Sequence, residues 1–156
     1  MRQDALLRPG KRAAARARKK PVAVAAPSTD GSDRRDAFVT RDGARYAGVH
    51  LIIDLHGARR LNDLDYIEGV LRRCAEAAGA TLLHIHLHRF QPDGVSGVAV
   101  LAESHISIHT WPEAGYAALD VFMCGRTDPS QCVPILRAAF SARQVDVNEL
   151  LRGQVT

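Results

Sequence analysis

The sequence has no long apolar run: no stretch approaches the roughly 18 consecutive apolar residues that a transmembrane helix needs. Its first residues also lack the apolar core of a secretory signal. Cysteine is scarce, and its odd count of three, with no CxxC pair, favours reduced thiols over a disulfide framework. We therefore expect a cytoplasmic protein that does not act in or on a membrane.

The chain also lacks a globular basic surface, although its net charge is +4. Residues 1–42 hold 11 Lys/Arg and 5 Asp/Glu, whereas residues 43–156 hold 10 Lys/Arg and 12 Asp/Glu. All the basicity therefore belongs to the first segment, and the remainder is slightly acidic. Because DNA- and RNA-binding domains carry basic patches, we do not expect nucleic acid to be a partner of the folded part.

Residues 1–42 are predicted to be a disordered basic extension. RPGKRAAARARKK, at residues 8–20, has seven basic residues and no acid, and nothing after it shows strand or core-helix periodicity. The extension could be an arm for nucleic acid or another anionic surface, an organellar address, or a solvated segment without a binding role. The folded domain is predicted to span residues 43–156, whose hydrophobic content suffices for one core.

Apolar periodicity in the folded part predicts the order β-α-β-β-β-β-α-β. The predicted strands are residues 46–54, 80–90, 95–102, 105–111, 116–123 and 144–150. One helix is expected to be capped by Asn62 and to stop at Gly79, and a second to begin at Asp128, with Pro134 inside its apolar stripe. This order implies an α/β (α+β) two-layer sandwich, in which a mainly antiparallel sheet carries both helices on one face. The other face would be free to meet a second copy.

Histidines and serines are concentrated on the predicted strands, and two general kinds of site follow from the residues alone. In the strand at 80–90, Leu83, Ile85 and Leu87 are predicted to face the core and the alternating histidines to face the other way. Imidazoles on one face could converge on a metal ion. The candidate ligands are His84, His86, His88, His105 and His109. Alternatively, Ser104 or Ser96 could be a hydrolase nucleophile, although no G-x-S-x-G elbow surrounds either serine.

A third interpretation comes from GVSGVAVLAESHISIHTWPEAGYAALDVFMCG, residues 94–125. This stretch closely resembles the bacterial and archaeal S-adenosylmethionine decarboxylase proenzymes, which cleave themselves at a Glu-Ser bond followed by H-x-[ST]-I-H-T-W-P-E. Here Glu103-Ser104 is followed by HISIHTWPE without a gap. The resemblance extends more loosely over residues 46–153, and it departs at Met123, where threonine is usual.

The resemblance implies a self-made cofactor. Decarboxylation of an amino acid needs an electron sink that no standard side chain provides. The Ser104 hydroxyl would attack the Glu103 carbonyl to form an ester, and elimination would then release residues 1–103. The new first residue of the 104–156 fragment would become a pyruvoyl group, whose ketone forms a Schiff base with the substrate amine.

The resemblance also assigns helpers to these steps. Ser96 matches the serine that hydrogen-bonds the oxyanion during processing, and His109 matches the base that removes the serine α-proton. Cys124 matches the acid that reprotonates the product, since a thiol of reference pKa about 8.5 transfers protons near neutrality. Without the resemblance, each would be read as a structural strand or core residue, as Cys74 and Cys132 are on their helices.

Substrate recognition is implied by three further residues. Phe90 matches the phenylalanine that stacks on adenine, Glu113 matches the carboxylate that binds the ribose hydroxyls, and Trp111 would line the same pocket. In proteins of this type the site forms between two copies, so a homodimer of processed chains or a higher oligomer is implied. No metal is assigned to the site.

The implied activity is decarboxylation of S-adenosyl-L-methionine to S-adenosyl 3-(methylthio)propylamine, the aminopropyl donor for spermidine biosynthesis. Two alternatives stay open at this point. A pyruvoyl-dependent decarboxylase of ornithine or arginine would carry the same processing residues. A binding protein whose basic arm contacts nucleic acid would need none of them.

Overall fold

The computed structural model describes residues 38–155, so the extension predicted for residues 1–42 lies mostly outside the described residues. The start of the folded part is a correction to that prediction. Residues Val39–Arg41 form strand β1, which pairs with the next strand across a turn at Asp42 and Gly43. Both turn residues have positive φ, the conformation for which Asp-Gly is favoured in tight hairpins. A strand of three residues is too short to show periodicity, and the boundary at 43 was therefore predicted too late.

The remaining elements follow the predicted order β-α-β-β-β-β-α-β. They are β2 (Ala44–His56), α1 (Leu64–Ala77), β3 (Leu82–Arg89), β4 (Val95–Leu101), β5 (Ser104–Trp111), β6 (Tyr116–Met123), α2 (Cys132–Ala139) and β7 (Gln144–Val155). Short 3-10 turns, Pro112–Ala114 and Pro129–Gln131, precede β6 and α2. The last strand is longer than the predicted 144–150.

All strand pairings are antiparallel. The main path through the sheet runs β2-β6-β5-β4-β3. Strand β7 also pairs with β2 along almost its whole length, so β6 and β7 flank β2 on opposite edges. The hairpin β4-β5 therefore lies inside the sheet, between β3 and β6.

Both helices pack on one face of this sheet, which confirms the predicted two-layer sandwich. Alternate strand residues are buried beneath them, and Ile53, Ile106 and Leu119 are fully or almost fully inaccessible. Each such side chain stabilises the fold by about 1.5–3 kcal/mol through its burial. The helices also contact each other: the Tyr66 hydroxyl donates a 2.6 Å hydrogen bond to the Ala139 carbonyl.

The helix ends differ in detail from the prediction. The N-cap of α1 is Asp63, whose side chain accepts a 3.1 Å hydrogen bond from the Tyr66 N–H, whereas Asn62 reaches towards the β3–β4 turn. In α2, Pro134 lies in the first turn, where a backbone N–H has no intrahelical partner to lose. The proline is therefore accommodated without a break, because the helix begins four residues after Asp128.

Strand β3 also corrects the predicted alternation. Its pairing with β4 shifts between Leu82 and His84, so Leu83 is pushed outward and is 57% exposed. Ile85 and Leu87 pack against the core as predicted. A bulge changes which side chains share a face, and apolar alternation alone does not reveal it.

No helix within residues 38–155 covers the second face of the sheet. Directly paired residues share a face, so the register places a mixed set of polar and apolar side chains there. They include His50, Ile52, Asp54, His105, Ser107, His109, Trp111, Ala118, Asp120 and Phe122. We call this the open face. No helix within residues 38–155 is both long and apolar enough to cross a bilayer.

Candidate active site

The Glu103–Ser104 peptide bond lies at the tip of the β4–β5 hairpin. Leu101 and Ser104 pair across a two-residue turn, and Ser104 has φ 146°, a strained value for a residue with a side chain. The Glu103 carboxylate is anchored by Thr81, whose N–H and hydroxyl donate hydrogen bonds of 2.8 and 3.1 Å. Thr81 thus fixes the position of the turn, while the backbone at Ser104 is strained.

The carbonyl of this bond has its own donor. The Cys124 N–H donates a 3.1 Å hydrogen bond to the Glu103 carbonyl oxygen, because the pairing of Ser104 with Met123 brings the end of β6 beside the turn. A donor there polarises the carbonyl and would stabilise negative charge on its oxygen. The Ser104 hydroxyl contacts His105 Nδ1 at 3.2 Å. Glu103, Ser104 and Cys124 are called the turn cluster.

Close packing surrounds the Cys124 thiol. A Cβ on Gly48 would lie 3.1 Å from its sulfur and 2.5 Å from the Met123 carbonyl oxygen, so only glycine fits there. Burial raises the pKa of Cys124, which keeps the thiol protonated at neutral pH. The other two cysteines are fully buried between the helices, where the contact with Cys132 and burial raise the pKa of Cys74.

A pocket lies at the other end of β5. Ser96 and His109 are directly opposite each other on β4 and β5, and a 2.7 Å hydrogen bond joins Ser96 Oγ to His109 Nδ1. Phe90 and Trp111 are both about half exposed there. The pocket has a volume of about 350 Å³ and is lined by Phe90, Asp93, Gly94, Val95, Ser96, His109, Thr110, Trp111 and Glu113. We refer to it as the pocket.

The back of the pocket is fixed by residues that the sequence did not single out. The buried Thr110 hydroxyl donates a 2.7 Å hydrogen bond to the Leu61 carbonyl and accepts one of 2.8 Å from the Val95 N–H. Neither this role nor that of Thr81 has a local sequence signal, since both depend on which strands become neighbours. The loop before α1 is thereby tied to the strands that carry the pocket.

Within one chain, the turn cluster and the pocket are far apart. Ser104 and His109 are separated by five residues of extended strand, about 16 Å along β5. A single chain therefore does not bring them into one site, and the expectation of a site formed between two copies stays a prediction. Ser96 and His109 meet each other, but neither reaches the Glu103–Ser104 bond of the same chain.

The two general alternatives find little support in the geometry. Residues 38–155 contain no group of three or more His, Cys, Asp or Glu side chains arranged to hold a metal ion. A hydrolase triad would need a carboxylate on the second nitrogen of His109, and no such contact occurs in the described part of the chain. Ser96 also lies within a strand rather than on a strand-turn-helix elbow.

Comparison with known families decides between these interpretations. The family model described as S-adenosylmethionine decarboxylase matches residues 49–153. The chain belongs to the S-adenosylmethionine decarboxylase family. This confirms the resemblance seen in the Glu103–Ser104 motif, and it covers the strands of both the turn cluster and the pocket.

Individual members of the S-adenosylmethionine decarboxylase family are also similar to the chain. The chain is 43% identical over 110 residues to the S-adenosylmethionine decarboxylase proenzyme of Thermomicrobium roseum, covering 69% of this chain and 95% of that one. It is 48% identical over 111 residues to the proenzyme of Methanococcus vannielii, covering 69% and 91%. The crystal structure of the Aquifex aeolicus adenosylmethionine decarboxylase superposes with a TM-score of 0.64 at 36% identity, covering 70% of this chain and 92% of that one.

The first prediction concerns the protonation of Cys124. In the unprocessed variant Ser104→Ala, the pH at which iodoacetamide alkylation of Cys124 reaches half its maximal rate should exceed that of a short cysteine peptide. The reason is that burial disfavours the thiolate. Mass spectrometry of the digested protein would follow this cysteine separately from buried Cys74 and Cys132. A midpoint at or below that of the peptide would contradict the prediction.

Proposed function

We propose that the chain is an S-adenosylmethionine decarboxylase that activates itself by cleavage between Glu103 and Ser104. The observation that carries this proposal is the geometry of the scissile bond. Its carbonyl accepts the Cys124 N–H, its serine is strained, and its glutamate is clamped by Thr81. A strained peptide bond with a polarised carbonyl and an adjacent hydroxyl is suited to an acyl shift from nitrogen to oxygen.

Processing proceeds through bonds of the chain itself. Ser104 Oγ attacks the Glu103 carbonyl carbon, and the C–N bond breaks to leave an ester and a free amino group. Loss of the serine α-proton then expels the Glu103 carboxylate and leaves dehydroalanine, which takes up water and releases ammonia. The products are residues 1–103, ending in a carboxylate, and residues 104–156, beginning with a pyruvoyl group.

The residues around the β4–β5 turn fit a pyruvoyl group at position 104. When present, the pyruvoyl carbonyl provides the electron sink that decarboxylation needs. Cys124, protonated at neutral pH and beside the turn, is suited to deliver a proton to the substrate carbon after carbon dioxide leaves. In the pocket, Phe90 and Trp111 would hold the adenine and sulfonium groups, and Glu113 would accept hydrogen bonds from the ribose hydroxyls.

A complete site requires two copies of the chain. His109, held by Ser96, is the base proposed for α-proton removal, with Ser96 as the oxyanion donor, yet both lie about 16 Å from Ser104 of their own chain. A second copy can provide them. The proposed unit is therefore a homodimer in which each site combines the turn cluster of one chain with the pocket of the other.

The open face suits this pairing. A two-fold axis parallel to the sheet and perpendicular to β5, passing near Ser107, would set the two β5 strands antiparallel across the interface. Ser104 of one copy would then lie at the His109 end of the other, with the two sheets about 10 Å apart. The exposed Ile52 and the half-buried Phe122 lie on this face and would be covered.

The product of the reaction would be the aminopropyl donor for spermidine synthesis. A cytoplasmic location is part of the proposal, since Cys74, Cys124 and Cys132 are all free thiols, as in a reducing compartment.

The processing prediction is tested by intact mass. Purified wild-type protein should consist of residues 1–103 and a pyruvoyl-blocked fragment 104–156, whereas Ser104→Ala should remain one chain because it lacks the attacking hydroxyl. Cleaved protein should release labelled carbon dioxide from S-adenosylmethionine in preference to ornithine or arginine. A wild-type chain that stays at 17.0 kDa after long incubation would refute self-cleavage. Release from ornithine or arginine alone would refute the substrate.

A separate prediction distinguishes processing from turnover. Cys124→Ala should still cleave, because its backbone N–H still reaches the Glu103 carbonyl, but decarboxylation should fall by about 10²- to 10⁴-fold, the usual contribution of a general acid. Fragment ratios and carbon dioxide release would be measured on the same sample. Ser96→Ala, which keeps Cys124 intact, serves as the comparison and should slow cleavage itself. Full turnover in Cys124→Ala would remove its role as proton donor.

Complementation tests the two-copy site. Ser104→Ala and His109→Ala should each fail to process alone, since one lacks the nucleophile and the other the base. Co-expressed with different tags, they form mixed dimers with one intact site, built from Ser104 of one chain and His109 of the other. The His109→Ala chain, and not the Ser104→Ala chain, should then be cleaved. If neither chain is cleaved in isolated mixed dimers, the shared site is wrong.

A further inference from the structure

Asp93 gives the pocket a charge that no lysine or arginine of the pocket lining balances. It lies on the β3–β4 turn, and among the residues that line the pocket it and Glu113 are acidic, while none is lysine or arginine. Such a lining creates a negative potential, which is strengthened by the low-dielectric walls of a pocket. The chemistry of the pocket therefore favours a positively charged ligand.

Asn62 holds the Asp93 carboxylate in place. The Asn62 side-chain N–H donates to Asp93 Oδ1, and the Asn62 oxygen accepts a 3.2 Å hydrogen bond from the Gly94 N–H. Both ends of the amide are thereby engaged on the same turn. Asp93 Oδ2 makes no hydrogen bond or ion pair within residues 38–155, which leaves this oxygen for a ligand.

The nearby Arg60 is committed elsewhere. Its guanidinium donates a 2.9 Å hydrogen bond to Asp63 and lies over the Tyr66 ring, 3.3 Å from the ring centroid. Arg60 therefore pairs with the helix-cap carboxylate of Asp63 and makes no ion pair with Asp93 within residues 38–155.

We propose that Asp93 is a specificity-determining residue that makes the pocket prefer a sulfonium nucleoside to the corresponding neutral thioether. The inference rests on the proposed function, in which the substrate carries a positively charged sulfur next to its ribose. A carboxylate stabilises that charge by Coulomb attraction, and it gains nothing from a thioether of almost the same shape. Without Asp93, discrimination between the sulfonium and the thioether would depend on the aromatic rings of Phe90 and Trp111 alone.

The test uses two ligands that lack an amine and therefore cannot enter decarboxylation. They are 5′-methylthioadenosine, which is neutral, and its S-methylated dimethylsulfonium derivative, which is cationic; both keep the adenine amino group, and the amine that they lack is the α-amino group of the substrate, together with its carboxylate. Trp111 is the single tryptophan of the chain and lines the pocket, so its fluorescence reports binding of both ligands to the processed protein. The ratio of the two dissociation constants measures charge selectivity separately from activity.

Asp93→Asn should weaken sulfonium binding about three- to fivefold, the size expected for an exposed charge interaction, and should leave thioether binding unchanged. Glu76→Gln, on the exposed surface of α1, removes one charge away from the pocket and should change neither constant. Added salt should reduce the sulfonium preference of the wild type and have less effect on Asp93→Asn. Asn62→Ala keeps the Asp93 charge but removes the hydrogen bond that fixes its carboxylate. Its loss of preference for the sulfonium should therefore be smaller than that of Asp93→Asn.

Two results for Asp93→Asn would overturn the inference: an unchanged preference for the sulfonium, or an equal loss of affinity for both ligands, which would assign Asp93 a role in pocket shape. A larger loss of preference in Asn62→Ala than in Asp93→Asn would also overturn it, because loop position would then decide selectivity. Failure of the proposed function is distinguishable, since wild-type protein would then release no carbon dioxide from S-adenosylmethionine.

Discussion

The antiparallel register of β4, β5 and β6 is the constraint on which the rest of the site depends. Pairing Leu101 with Ser104 leaves a two-residue turn for the scissile bond, and pairing Ser104 with Met123 brings the Cys124 N–H to its carbonyl. The same register sets Ser96 against His109 at the far end. Because side chains alternate along a strand, a slip of one residue would turn the polar positions of β5 into the core and lose both ends together.

Much of this arrangement could be predicted from the sequence. Six of the strands and both helices have clear apolar periods, and the contiguous ESHISIHTWPE motif predicts a cleavage point at Glu103–Ser104 and the pocket residues His109, Trp111 and Glu113. What was missed depends on long-range neighbours. The bulge at Leu83 and the short strand β1 have no periodic signal, and the cap moved from Asn62 to Asp63 because Asn62 is used by the β3–β4 turn.

The separation of the turn cluster from the pocket follows from strand length rather than from motif order. In the sequence, Ser104 and His109 are only five residues apart, but an extended strand carries them to opposite ends of the sheet. Residues five apart on an extended strand cannot contact each other. A short separation in sequence indicates spatial contact in a helix, where residues three or four apart are neighbours, but not along a strand.

The strand order also determines what the proposed cleavage would leave behind. Across the sheet the strands lie in the order β7, β2, β6, β5, β4, β3. Strands β7, β6 and β5 belong to fragment 104–156, whereas β2, β4 and β3 belong to fragment 1–103. The fragments are interleaved, with β2 between β7 and β6, so neither retains a continuous sheet when removed from the other. If the proposed cleavage occurs, the product is a two-chain complex whose unfolding includes dissociation, and its stability depends on concentration even before any second copy is considered.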